Sequence, residues 1–559
     1  MDCANIHETT AWTRLQEQAA HIKANTHLRD LLKDSSRNAS LVAEHDGIMM
    51  DFSRECVTND TMGLLFDLAT TANVEEKRAA MGTGVHINST EDRAVMHVGL
   101  RAPRDKQFFV DGTDVVPQVH AVLDHIQDFS EKVRTKEWVG ATGKPLTTVI
   151  SVGIGGSYLG PEFVFEALKT DSVGCETARG RTLRFLANVD PVDVARALEG
   201  INAEETLVVI VSKTFTTAET ILNAKTVKQW LLKNVPGCAD SDIIRQHMVA
   251  VSTAVPKAVA FGIDANNIFG FWDWVGGRIS VSSAVGVLPL ALHYGMDVVR
   301  EFLAGMHDMD THFFEAPMHQ NLPVLMGLLG VWNSTFLGHA TKVILPYSQA
   351  LLRFPAHIQQ LDMESNGKRV GNDGSVLPYE CGEIIFGEPG TNGQHSFYQL
   401  VHQGRVVPAE FIAFCESPTP QRVDDYPVSN HDELMSNFFA QPDALACGKT
   451  IQELKAEDVP ARLQPHKEFP GNRPSLSLLF PSLSAKSCGQ LLALYEHRVA
   501  VQGFVWGINS YDQWGVELGK VLATKVRVAI SSARSSESSN VENFNSSTTA
   551  MLQKYLSHK

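Results

Sequence analysis

The chain has 559 residues, 44% of them hydrophobic and 20% charged, with a formal net charge of -15 at pH 7. That length allows two sizeable cores or more, and the composition is ordinary for a globular protein. An acidic excess without any run of Lys or Arg excludes a broad polyanion-binding surface, and no apolar stretch approaches the ~20 residues that cross a bilayer, so neither a nucleic-acid nor a membrane partner is expected.

In chain order, the N-terminus lacks a charged-then-apolar signal pattern, and Asp2, Glu8 and Glu17 do not suit an acidic-poor transit peptide. A cytoplasmic protein is expected. Residues 1–120 read as a helical segment, with helices over Trp12 to Leu32 and Thr61 to Asn73 and a strand over Val95 to Arg101. Residues 121–292 change character. Apolar runs at Thr148 to Gly153, Arg184 to Val189, Leu207 to Val211 and Met248 to Ser252 alternate with amphipathic helices, which predicts a parallel sheet covered on both faces.

A second α/β unit is expected over 293–528, with strands near Lys342 to Pro346, Ile384 to Phe386 and Glu410 to Phe414 and final helices over Lys486 to Trp506 and Tyr511 to Val528. Residues 529–559 read as a Ser-rich connector (Ser531 to Ser547) followed by a short arm helix from Thr549 to Leu556. The eight cysteines, Cys3, Cys56, Cys175, Cys238, Cys381, Cys415, Cys447 and Cys488, include no Cys-x-x-Cys pair and no His at zinc spacing. They read as reduced, mostly buried thiols, and no metal or cofactor is expected.

Five segments carry chemistry. The run Val149 to Gly160 puts Gly153, Gly155, Gly156 and Ser157 between a strand and a helix, where backbone N–H groups bind anions; Tyr158 stands where a dinucleotide fingerprint needs glycine, and a ligand-free packing turn fits the pattern equally. At the next strand end, Ser212, Lys213, Thr214, Thr216 and Thr217 gather hydroxyls and one ammonium, which suits a phosphate monoester; the alternative is an N-capping cluster. Asp273 to Ser280 sets Arg278 directly after Gly276 and Gly277, suiting an oxyanion, unless it is a surface turn with a structural ion pair.

His357 to Lys368 reads as a helix ending at Asn366-Gly367, with Gln360 and Glu364 on one face. A Gly/Pro/Asn-rich loop, Gly387 to Ser396, delivers His395, the side chain best suited to proton transfer near neutral pH. Beyond these five, Gly507 to Lys520 places Gln513 and Lys520 seven apart, read as two turns along one helix face.

Together these segments resemble the phosphoglucose isomerase family over nearly the whole chain, closest to a eukaryotic cytosolic, plant-like form. Asp273 to Arg278 and Gly507 to Lys520 look like its two signatures. The resemblance implies two sugar-isomerase αβα sandwiches of parallel type, with a helical N-terminal segment and a C-terminal arm embracing a second subunit. It also implies reversible isomerisation of glucose 6-phosphate and fructose 6-phosphate, in glycolysis and gluconeogenesis.

By the same resemblance Gly156, Ser157, Ser212, Lys213, Thr214 and Thr217 would hold the phosphate. His395, supported by Glu219, and Lys520 would open the sugar ring. Glu364 would carry the C2 proton to C1, Arg278 after Gly277 would steady the enediolate, and Gln360 and Gln513 would position the substrate. His395 would enter from the neighbouring subunit, giving a homodimer with shared active sites. Two positions depart from the family pattern: Ile279, where an aromatic residue is usual, and Leu361, where a small one is common. A non-catalytic sugar-phosphate sensor would lose the acid-base groups that are all present here, and an amidotransferase half would need a preceding glutaminase domain with Cys at position 2.

Overall fold

The computed structural model describes residues 5–535 and 544–558. The chain divides into two compact units, Met1–Ser510 and Tyr511–Lys559.

The first unit opens with helices and an antiparallel hairpin, β1 (Val42–His45) and β2 (Ile48–Asp51). A small ribbon, β3 (Phe109–Val110) and β4 (Thr113–Asp114), follows. Then come β5 (Thr148–Val152), β6 (Thr182–Leu186), β7 (Thr206–Val211), β8 (Met248–Val251) and β9 (Ile268–Phe269), joined in the order β6-β5-β7-β8-β9 and parallel throughout. Every residue of β5, β7 and β8 is buried, as expected for strands covered by helices on both faces. Below this sheet Ile150, Val208, Ile210 and Ala250 pack with Ala224, Val227 and Leu231 of the Ala218–Asn234 helix.

The second sheet contains β10 (Thr341–Pro346), β11 (Ile384–Gly387), β12 (Ala409–Glu416) and β13 (Ser475–Ser482) in the order β11-β10-β12-β13, parallel. Both sets of parallel strands therefore share one winding, in which the first strand lies second from the edge. The hairpin β1-β2 extends the second sheet by antiparallel pairing of β2 with β13. This makes a mixed six-stranded sheet whose outermost two strands on that side come from the segment expected to be helical.

The Ala485–Trp506 helix is buried at every residue except Lys486. It packs against the Met296–Glu315 helix with backbones in close approach: a Cβ at Gly305 would lie 1.9 Å from the Lys486 carbonyl oxygen, and one at Gly489 2.1 Å from that of Phe302. Glycine alone permits such spacing.

Some expectations are corrected. Val95 to Arg101 is not a strand; its residues include a buried 3-10 turn at His97–Arg101, where Arg101 pairs with Asp310 and Glu496. The apolar character of that stretch reflects burial inside a helical layer, not a pleat. Of the seven described cysteines only Cys56 and Cys488 are buried, while Cys175 and Cys415 are exposed; no disulfide forms among them. Among the described residues no helix is long and apolar enough to cross a membrane.

In the second unit, a 3-10 turn at Trp514–Val516 precedes a helix at Glu517–Ser535, and a last helix spans Ser546–Leu556. The guanidinium of Arg534 donates to the Tyr555 hydroxyl between these helices. The expected Tyr511 to Val528 helix thus begins later and ends later. Residues 531–535 of the anticipated Ser-rich connector are helical, 546–547 begin the last helix, and 536–543 lie outside the described residues.

Candidate active site

The strand order makes β5 and β7 neighbours, while the chain leaves β5 toward β6 on one side and then returns to β7 on the other. In an open α/β sheet this switch point is where the loops after two adjacent strands part and leave a crevice. The Gly-rich turn and the hydroxyl loop are those two loops.

After β5, Gly155–Ser157 forms a 3-10 turn and the Leu159–Ala167 helix follows. Gly155 has φ +60°, and a Cβ at Gly156 would meet the Gly277 carbonyl oxygen at 2.1 Å. Gly156 is therefore needed for packing against the segment that carries Arg278. After β7, the two readings of the hydroxyl loop separate: Thr217 precedes the Ala218–Asn234 helix without any side-chain capping bond, and the buried Ser212 hydroxyl has no hydrogen-bond partner among the described residues. A capping cluster would have used them. Thr214 and Thr216 hydroxyls lie 2.7 Å apart, and the first turn of a helix supplies N–H groups that lack intrahelical acceptors.

Lys213 behaves differently from its hydroxyl neighbours. Its ammonium donates to the carbonyls of Asp273 and Val275 at 3.1 and 3.0 Å, and burial lowers its pKa. It ties the hydroxyl loop to the segment leading to Arg278.

Arg278, in the 3-10 turn Gly277–Ile279, is only 2% exposed. The surface-turn reading does not fit. Its Nε donates to Ser365 Oγ at 2.6 Å, its Nη2 to the Ser510 carbonyl at 2.6 Å, and its Nη1 lies 3.4 Å from Glu364 Oε1. Glu364 and Gln360 share a face of the Phe354–Asn366 helix, and Gln360 Nε2 donates to Glu364 Oε2 at 2.7 Å, leaving Gln360 Oε1 buried and unpartnered among the described residues. Gln360 also approaches the Gly-rich turn, its Nε2 lying 3.4 Å from where a Gly155 Cβ would stand. The structure thus joins Gly155, Gly156, Gly277, Arg278, Gln360 and Glu364 in one place. Ile279 and Leu361, the two departures, are both buried.

His395, in the turn Asn392–His395, is exposed and borders a hollow of about 240 Å³ with Tyr398, Gln399, His402, Gln441 and Phe469, none of which belongs to the Glu364 group. Glu219 lies in the first turn of the Ala218–Asn234 helix. In the second unit, Gln513 lies outside the helix, just before the Trp514–Val516 turn with φ -152° and ψ 48°, so it does not share a helix face with Lys520 as expected; Lys520 pairs with Glu517 at 2.9 Å. Among the described residues no group of three or more His, Cys, Asp or Glu is disposed to hold a metal ion.

Three groups of contacts had no sequence signal of their own. Ser365 and the Ser510 carbonyl seat Arg278, as above. Arg353, which precedes the Glu364 helix, donates to Glu162 at 2.5 Å and to the Tyr158 hydroxyl at 2.9 Å, so the helix start is locked to the Gly-rich turn. Lys368 donates to the carbonyls of Glu364, Ser365 and Asn509.

Comparison with known proteins shows the family of the chain. Residues 51–552 match the family described as phosphoglucose isomerase. The chain is 59% identical over 551 residues to the cytosolic glucose-6-phosphate isomerase of Spinacia oleracea, covering 99% of this chain and 96% of that one. It is 59% identical over 553 residues to the cytosolic enzyme of Arabidopsis thaliana, covering 99% and 98%. Among solved structures, a glucose-6-phosphate isomerase from Chlamydia trachomatis superposes with a TM-score of 0.82 at 33% identity, over 94% of this chain and 96% of its own. A hypothetical protein of Thermus thermophilus, at 24% identity and a TM-score of 0.59, shares the fold, over 84% of this chain and 96% of its own.

Proposed function

The chain belongs to the phosphoglucose isomerase family and interconverts glucose 6-phosphate and fructose 6-phosphate; from that premise we propose how its residues divide the work. The reaction is a step of glycolysis and gluconeogenesis, and the cytosolic names of the relatives place it in the cytosol.

The phosphate sits in the crevice between the loops after β5 and β7. Ser157, Ser212, Thr214 and Thr217 donate hydroxyls, and Gly156 and the helix N-terminus donate backbone N–H groups. Lys213 adds positive charge near that end while its ammonium braces the Asp273 and Val275 carbonyls. The Ser212 hydroxyl is already desolvated and unsatisfied, so a phosphate oxygen gains a bond there without displacing one.

The other end of the sugar meets Glu364. Ring opening moves a proton between the ring oxygen and the C1 hydroxyl, the task of His395, with Glu219 behind it, and of Lys520. Glu364 then takes the proton from C2. The electron pair left behind forms the C1–C2 double bond, and negative charge passes to O1 beside Arg278. Glu364 returns its proton to C1, the O2 hydroxyl proton moves to O1, and a ketone remains at C2. Gln360, through its free Oε1, and Gln513 position the hydroxyls. The single observation that carries this reading is a carboxylate held beside a buried guanidinium, close to the Gly-rich turn after β5. One base serving two adjacent carbons needs no redox cofactor and no metal.

His395 lines a hollow that contains no member of its own chain's Glu364 group, which supports a homodimer in which each site borrows this histidine from the partner.

The test is Glu364→Gln in a coupled assay of fructose 6-phosphate conversion, with and without a chelator. Turnover is expected to fall by about 10²–10⁴-fold with phosphate-bearing inhibitors still bound. Near-normal turnover overturns the base assignment, and loss of wild-type activity on chelation overturns the metal-free reading.

A further inference from the structure

The proposed reaction needs Glu364 and Arg278 in fixed register, although one sits on the Phe354–Asn366 helix of the second sheet and the other follows β9 of the first. Four hydrogen bonds close a ring around that pair. Lys368 Nζ donates to the Ser365 carbonyl at 2.8 Å; Ser365 Oγ accepts from Arg278 Nε at 2.6 Å; Arg278 Nη2 donates to the Ser510 carbonyl at 2.6 Å; and the Asn509 carbonyl, one residue back, accepts from Lys368 Nζ at 2.8 Å. Lys368 also reaches the Glu364 carbonyl at 3.3 Å.

A cation is well suited to this place. The carbonyls of the last helical turn have no intrahelical donors, and the helix dipole favours positive charge there. What is unusual is the third acceptor, Asn509, which belongs to a different segment. Through it, Lys368 fastens the end of the base-bearing helix to the stretch of chain that seats the guanidinium. A second fastening, Ser510 Oγ to Asn366 Oδ1 at 2.7 Å, runs beside it, and Asn509 is held from its side chain by Asn88 and Thr90.

We propose that Lys368 and Ser365 are positioning residues for the isomerisation: they fix Arg278 relative to Glu364 and act on the enediolate, not on phosphate binding. This rests on the reading of Glu364 as the base and Arg278 as the oxyanion partner. Neither Lys368 nor Ser365 is required to touch the sugar. Misplacing a catalytic group by about an ångström lowers turnover by roughly 10²-fold, whereas interactions made equally in the ground and transition states govern KM.

The experiment measures kcat, KM and the affinity of two inhibitors for Lys368→Met, Lys368→Arg, Ser365→Ala and Glu364→Gln. One inhibitor is a phosphorylated sugar alcohol, which fills the phosphate crevice and carries no enediolate-like group. The other is a phosphorylated sugar hydroxamate, which mimics the planar enediolate. Lys368→Met is expected to lower kcat about 10–100-fold with KM within about twofold, to leave sugar-alcohol binding unchanged, and to weaken the hydroxamate in proportion to kcat. Lys368→Arg, able to reach the same carbonyls, recovers much of the loss.

Ser365→Ala gives the same split in smaller measure and answers the question if Lys368→Met does not fold. Turnover within about twofold of wild type for both Lys368→Met and Ser365→Ala, or equal weakening of both inhibitors, overturns the positioning role. If Glu364→Gln is inactive while the other variants are unimpaired, positioning alone fails. If Glu364→Gln is itself active, the base assignment fails first.

Discussion

At the scale of single residues, the hydroxyl loop after β7 is told from a capping cluster by the bonds its side chains do not make among the described residues. Ser and Thr at a strand-to-helix junction commonly cap the helix, and for Ser212 and Thr217 taken alone that account outranks a phosphate site; the Gly-rich turn at a second strand end shifts the balance. In the fold Thr217 makes no capping bond, and Ser212 is 3% exposed with its hydroxyl unpartnered among the described residues. A buried unsatisfied hydroxyl destabilises the unliganded protein, and a phosphate offsets that cost. Ser212→Ala should therefore raise KM and lower kcat/KM by about 10-fold or more, a charged hydrogen bond being worth about 1.5–3 kcal/mol, while urea unfolding of the unliganded protein shows equal or greater stability. A variant that unfolds more easily and binds substrate normally would assign Ser212 to structure.

At the scale of elements, glycine placement distinguishes packing from function. Gly489 and Gly305 let two helices meet backbone to backbone, with no room for a Cβ. Gly489→Ala should destabilise by about 1–3 kcal/mol or more, read as a lowered urea midpoint, because the facing atom is the fixed Phe302 carbonyl and not a flexible side chain. Gly63, inside the Asn59–Thr71 helix with nothing within 4 Å of where a Cβ would stand, is the internal control. There the same change should stabilise by about 0.5–1 kcal/mol through helix propensity. Two losses of similar size would mean that backbone approach is not what Gly489 serves.

The same elements show what was legible in the sequence. Four of the five strands of the first sheet were, β5 and β7 most plainly, as short runs rich in Val, Ile and Leu buried on both faces, a pattern that needs no partner to be recognised; the two-residue β9 was not. The hairpin β1-β2 was not: its burial alternates and its meaning depends on β13, more than four hundred residues away. Val95 to Arg101 misled because a stretch buried all round carries no periodicity to tell a 3-10 turn from a strand. Within the site, the Gln360 and Glu364 pair was visible as i,i+4 spacing, whereas the Lys368, Ser365 and Ser510 contacts join segments whose proximity only the fold creates.

At the scale of the whole molecule, the proposed site combines groups that one chain brings together with a histidine proposed to come from a second subunit. Within the first unit the Gly-rich turn and the Glu364–Arg278 pair are brought together by contacts inside a single chain. His395 is exposed on the loop after β11 and lines a hollow that contains no member of that group. The family resemblance implies that this histidine serves the active site of a second subunit. Complementation between inactive variants tests this directly. Glu364→Gln and His395→Ala, each nearly inactive as a pure homodimer, should regain activity when mixed under conditions that exchange subunits, since a heterodimer places the intact Glu364 of one chain opposite the intact His395 of the other. Random pairing makes half of the dimers mixed, and each mixed dimer then holds one intact site of two, so recovery should approach about a quarter of the wild-type rate. If native mass spectrometry shows mixed dimers and the rate stays at the level of the parents, His395 acts within its own chain and the shared-site arrangement is wrong.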